Sequence, residues 1–262
     1  MVDFEYKQHY TVKDLEEIVR ILRAPGGCPW DAEQTHESIR RNFLEEAYEA
    51  VEAIDEGSAE HLREELGDVL LQIVLHARME EEQGRFDLDG VADGICQKLI
   101  YRHPHVFGDM KVSGTGEVLS NWEDLKRKEK GQKTNTDALS AVARSLPALW
   151  RAEKVQKKAK KAGFDWPDVS GALDKLSEEI EELKTAVAEG SNIEEELGDL
   201  LFSAVNVSRF VKVDTEQALT KATDKFIDRF RKVEAQAKAE GRPMEEMSLA
   251  ELDALWERAK HA

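Results

Sequence analysis

The chain has 262 residues, 35% of them charged and 7% aromatic, with a formal net charge of −17. That length buries a substantial core in one large domain or two small ones, and the prevalence of Leu, Ala, Glu and Lys is that of helices. So acidic a chain is a poor non-specific partner for nucleic acid, whose phosphates it repels, which leaves cation binding or solubility as uses for its carboxylates.

In chain order, MVDFEYKQHYTV lacks a basic start followed by an apolar run, so no leader is expected. Helical periodicity then runs nearly throughout, without strand-like alternation. It breaks at APGGC (24–28), around Gly57, at Gly84, at Pro104, at 111–116, at 163–167 and at Gly190. The apolar run 69–75 is interrupted by Gln72 and is too short to span a bilayer, so no membrane association is expected. Cys28 and Cys96 form no CxxC pair, which fits a reduced, cytoplasmic setting.

The polar segment KRKEKGQKTNTD (126–137) loses the apolar stripe and reads as a linker, and what flanks it matches. GGCPW (26–30) pairs with AGFDW (162–166), FLEEAYEAVEAI (43–54) with LSEEIEELKTAV (176–187), and EELGDVLL (64–71) with EELGDLLF (195–202). KLIYR (98–102) pairs with KFIDR (225–229), and NWEDLK (121–126) loosely with LWERAK (255–260). The separations are nearly constant: 133 from Glu46 to Glu179 and 131 from Glu65 to Glu196. This is a tandem duplication. The expected architecture is all-α, with an N-terminal domain over 1–125, a linker over 126–142 and a C-terminal domain over 143–262. Each domain is expected to be a bundle of four to five helices.

Helical residues three or four apart share a face. Glu46 and Glu49, Glu65 and Asp68, Glu179 and Glu182, and Glu196 and Asp199 are such pairs. Each unit thus carries two acidic pairs on consecutive helices, a set of oxygen donors suited to a hard cation. A solvated acidic face is the plain alternative. The wheel over 193–211 argues against it, because Ile193, Leu197, Leu200, Leu201, Phe202 and Val205 leave little polar circumference, and such a helix is expected to be buried. Its one polar stripe is Glu196, Asp199, Ser203 and Asn206, whereas the first unit ends the stripe in Leu75, which makes the second the better-built site. Gly198, between the carboxylates, suggests a close helix approach.

The ordered set GGCPWD, FLEEAYE, REELGDVLLQIV, GRFD, YRHPHVF, RSLPAL and GFDW resembles the MazG nucleoside triphosphate pyrophosphohydrolases of the all-α NTP pyrophosphatase superfamily, over almost the whole chain. The resemblance implies a Mg²⁺-dependent hydrolase converting nucleoside triphosphates to monophosphates and diphosphate. It also implies broad ribo- and deoxyribonucleotide specificity, a housekeeping or stress role in the nucleotide pool, and a homodimer whose nucleotide site is completed across subunits. It places the catalytic and metal-binding carboxylates at Glu179, Glu182, Glu196 and Asp199, and the nucleotide contacts at Lys175, Lys225, Arg229 and Trp256. A second set, Glu46, Glu49, Glu65 and Asp68, is complete, but Asn42 stands where the second unit has Lys175, so a structural role is expected there.

These roles suit the residues. Carboxylate-held Mg²⁺ neutralises phosphate oxygens, Lys225 and Arg229 lie one helical turn apart and can clamp diphosphate, and Trp256 offers a stacking face or is a packing aromatic. A non-catalytic nucleotide- or metal-binding scaffold of the same fold is the competing reading. His103 and His105 lack further zinc ligands, Glu33 and His36 make one ExxH where di-iron bundles need two, the basic run 154–161 reads as a solvated helix face, and no P-loop occurs.

Overall fold

The structure, a computed structural model, describes residues 4–261; residues 1–3, with which the N-terminal stretch expected to carry no leader begins, lie outside the described residues. Among the described residues there are thirteen α-helices, one 3₁₀ turn and no strand. They form two compact units that divide between Lys126 and Arg127.

The first unit carries α1 (Val12–Arg23), α2 (Pro29–Glu33), α3 (Arg40–Glu56), α4 (Ala59–Glu82), α5 (Leu88–Arg102), α6 (Pro104–Phe107) and α7 (Thr115–Glu129), the last running past the division. Local chemistry sets the ends. Thr11 and Asp14 cap α1 through the Thr11 N–H, which donates to Asp14 Oδ2 at 2.7 Å. Gly57 closes α3 at a φ of 70°, a left-handed conformation that glycine adopts without steric cost. Ser58 then accepts from the His61 N–H to open α4. The core gathers Val19 of α1, Ile39, and Val74, Leu75 and Met79 of α4.

The second unit carries α8 (Asn135–Ser140), α9 (Ala148–Lys161), α10 (Val169–Glu189), α11 (Ile193–Val211), α12 (Thr215–Ala239) and α13 (Leu249–His261), with the 3₁₀ turn at Met244–Glu246. Within the stretch 126–142, Thr134 and Asp137 form a capping box on α8, and Ala138 and Val142 are buried. Gly190 ends α10 in the left-handed region, and α11 packs on α10 and α9. One core cluster joins Val233 and Ala237 of α12 to Leu255 and Ala259 of α13.

Burial of α11 is a correction to the wheel. Val205, Ser203 and Asn206 are buried, but Leu197 and Leu201 remain 46% and 50% exposed. The wheel records which residues are apolar, not how many neighbours cover them, and among the described residues of the second unit these positions of the α10–α11 hairpin are left uncovered.

Candidate functional site

Only three residues separate α10 from α11, so the two helices fold back on each other. Glu179 on α10 and Glu196 and Asp199 on α11 thereby bring one carboxylate oxygen each within 4.8 Å of one another. Glu179 is buried, 4% exposed. Its partner is Lys175, one turn earlier, whose Nζ lies 2.7 Å from Glu179 Oε1, 2.9 Å from Glu178 Oε1 and 3.8 Å from Glu182 Oε2. Those bonds hold the Lys175 ammonium firmly protonated, Glu179 contributing most. Glu182 stands outside the trio and borders a groove of about 520 Å³ whose walls include Glu178, Glu181, Glu189 and Glu196. Desolvation raises its carboxyl pKa, with Lys175 opposing.

The first unit repeats the arrangement with Glu46 and Glu49 of α3 and Glu65 of α4, whose oxygens also lie within 4.8 Å of one another. Asp68 is outside that trio but near enough to raise Glu46, after desolvation. Glu65 is 8% exposed, and its Oε2 is buried without a hydrogen-bond partner. Desolvation first, then Glu49, push its pKa up. His61 gives partial relief: its Nε2 lies 3.2 Å from Glu65 Oε1, and its Nδ1 is 2.8 Å from Glu56 Oε2.

Both trios fit a divalent cation. Each offers converging hard oxygen donors, half withdrawn from water, and an orphaned buried carboxylate oxygen such as Glu65 Oε2 is costly unless something positive meets it.

Lys225 and Arg229 lie one turn apart on α12, and the Arg229 guanidinium sits 5.9 Å from the centre of the Trp256 ring. Trp256 also meets Phe226, ring centres 5.0 Å apart, and packs on the α12–α13 core. The first unit has the same pairing, with Arg102 5.5 Å from the Trp122 ring centre. Duplication is thus visible in side-chain geometry as well as in sequence.

Two networks escaped sequence reasoning. Arg209 pairs with Asp165 and donates its Nε–H to Asn206 Oδ1 at 2.9 Å. Asn206 therefore serves a buried ion pair, and its contrast with Leu75, a core residue, does not mark the second cation site as better built. In the first unit His36 Nδ1 lies 2.7 Å from His76 Nδ1, and His36 Nε2 lies 2.6 Å from Glu80, which Arg85 also holds. The signal available in sequence was the i, i+4 pair His76 and Glu80, which continues the polar stripe of Asp68 and Gln72 at four-residue spacing. Gly198 faces open space, since nothing lies within 4 Å of a Cβ placed there, so within the chain no close approach requires it.

A family model described as the MazG nucleotide pyrophosphohydrolase domain matches residues 34–107 and 169–234, segments that contain both carboxylate sets. Among relatives, a Thermotoga maritima protein named nucleoside triphosphate pyrophosphohydrolase/pyrophosphatase MazG is 46% identical over 95% of this chain and 95% of its own length. The nucleoside triphosphate pyrophosphohydrolase of Escherichia coli K12 is 44% identical over 93% of this chain and 94% of its own. YabN of Bacillus subtilis, an uncharacterised protein, is 48% identical over 96% of this chain, which spans 52% of YabN.

Proposed function

This chain belongs to the MazG nucleotide pyrophosphohydrolase family, and on that premise we propose that it hydrolyses nucleoside triphosphates to monophosphates and diphosphate at the α10–α11 cluster of the second unit. It is a hydrolase acting on phosphoric anhydrides. The observation that carries the placement is the convergence of Glu179, Glu196 and Asp199 beside a lysine already bonded to one of them.

Those three carboxylates would hold Mg²⁺, which when bound supplies positive charge to the phosphate oxygens. Glu182, left outside the trio and with a raised proton affinity, is placed to orient or deprotonate the attacking water. Lys175 reaches from the same helix face toward a phosphate. Lys225 and Arg229 hold the polyphosphate, Arg229 bidentately. Trp256, partly buried, would offer a base an apolar ring face that tolerates different bases, consistent with broad specificity. We read the first unit as a supporting copy, because Asn42 replaces the lysine. We also read the enzyme as a cytoplasmic homodimer serving the nucleotide pool, since apolar residues such as Leu197 and Leu201 stay exposed on a single chain.

The test is a product balance. The protein is incubated with each ribo- and deoxyribonucleoside triphosphate, with and without Mg²⁺, and monophosphate and diphosphate are measured. Equal yields that require Mg²⁺, abolished by Glu179→Ala and retained in Glu46→Ala, are expected. Loss of turnover only in Glu46→Ala would move the chemistry to the first unit, and no turnover with any nucleotide would leave the scaffold reading.

A further inference from the structure

We propose that Lys175 is an exchangeable internal cation of the second cluster, so that the second unit takes up its divalent cation together with nucleotide, whereas the first unit takes one up alone. The inference rests on the reading of both trios as cation sites.

The two clusters have the same carboxylates and different charge balance. In the second, the Lys175 ammonium lies 2.7 Å from the buried Glu179 and 2.9 Å from Glu178. The lysine side chain is 36% exposed while that of Glu179 is 5% exposed, so the ammonium sits at the mouth of the cluster and points its charge inward. A divalent cation entering there displaces a charge that already satisfies Glu179. The freed ammonium then needs another anion, which a polyphosphate provides at the same helix face. Cation and nucleotide each relieve the cost of the other, which makes their binding mutually reinforcing.

In the first cluster the matching position is Asn42, which carries no charge. Glu65 Oε2 is buried with no donor. His61 approaches the other oxygen of Glu65, at 3.2 Å, and divides itself with Glu56. Three converging carboxylates without a lysine leave a deficit of positive charge that a divalent cation fills without displacing an ammonium. The copy without the lysine is therefore the tighter site for a free cation, and the copy with it is the site that waits for substrate.

Free Mn²⁺ gives a resolved paramagnetic spectrum that broadens on binding, so titrating Mn²⁺ into the full chain counts occupied sites without turnover. In nucleotide-free wild type, binding is expected to vanish in Glu65→Gln and persist in Glu179→Gln. A non-hydrolysable triphosphate analogue should add a second site, lost in Glu179→Gln. In Lys175→Met, nucleotide-free Mn²⁺ affinity of the second unit should rise by about ten- to a hundredfold, the scale of one charge-assisted hydrogen bond. Lys175→Arg, which keeps the charge, should behave as wild type, and circular dichroism melts establish that each variant folds. An unchanged second-unit affinity in Lys175→Met, or nucleotide-free binding that depends on Glu179 in place of Glu65, overturns the exchange while leaving both trios as cation sites. Absence of Mn²⁺ at either trio, with and without the analogue in every folded variant, overturns the cation-site reading itself.

Discussion

Arg209 donates to both carboxylate oxygens of Asp165 and to Asn206 Oδ1, with its side chain only 5% exposed. The pair is desolvated, and the Asp165 carboxyl is held below its ordinary range chiefly by the hydrogen bonds from Arg209. Removing one partner strands the other. Arg209→Met should therefore destabilise the second unit by about 3 kcal/mol, a typical cost of breaking a largely buried pair, readable as a lower urea midpoint. Asn206→Ala should follow in the same direction with a smaller loss. Neither change should weaken Mn²⁺ binding in the presence of a triphosphate analogue, whereas Asp199→Asn should weaken it and leave the urea midpoint nearly unchanged. The polar stripe on α11 thus divides in two: Glu196 and Asp199 face the cation trio, and Asn206, two turns on, serves the ion pair.

The segment between α2 and α4 shows how an element is fixed by a few polar contacts. Ile39 enters the first core, and His36, three residues earlier, docks on His76 and Glu80 of α4. The Nδ1 atoms of the two rings lie at hydrogen-bond distance, 2.7 Å apart, and Phe43 meets the His76 ring at its edge. Burial, then His36, lowers the pKa of His76 below its ordinary 6.5. The unfolded chain therefore takes up the proton that charges His76 more readily than the folded one. The contribution is complete above 6.5 and is lost as pH falls through the lowered value. Glu80, held at about 2 by Arg85 first and then by burial-opposed bonding to His36, keeps its contribution down to its own ordinary value of 4.5. His61, raised by Glu56, acts in the opposite sense, being stabilising when protonated. Melting temperatures at about pH 7.5 and about pH 5.5 should thus fall more on acidification in wild type than in His76→Gln, which keeps His61 and lacks the depressed imidazole. An equal fall in both would remove His76 from the account. The element ends themselves were largely legible: Gly57 and Gly190 stop helices in the left-handed region, as glycine after an apolar periodic run predicts. The break between α11 and α12 was not, because it is made by Lys212 at a φ of 59°, a conformation that lysine does not advertise, followed by Asp214 capping α12 through the Gln217 N–H.

At the scale of the whole molecule, the sequence pattern and the single chain disagree about how much apolar surface is hidden. Duplication and the pairing of carboxylates across each hairpin follow from spacing alone, since residues three and four apart share a face and a short turn folds two such faces together. Coverage of the opposite faces does not, because it depends on what packs there. Leu173, Ile180 and Val187 recur every seven residues along α10 and are all exposed, as are Leu197 and Leu201 on α11. A seven-residue apolar repeat is the seam of helices that pack against other helices. Gly198 lies in the same stretch with open space above its Cα, and a glycine inside an exposed helix otherwise costs about 1 kcal/mol relative to alanine. If a second copy covers this face, as proposed for the dimer, Gly198 admits its close approach. Leu201→Glu should then shift the light-scattering mass from that of two chains to that of one, with helicity by circular dichroism retained. Gly198→Ala should weaken the dimer even though it favours the isolated helix. A wild-type mass of one chain, with Gly198→Ala simply more stable, would instead make the glycine a helix defect and leave the apolar seam to some other partner.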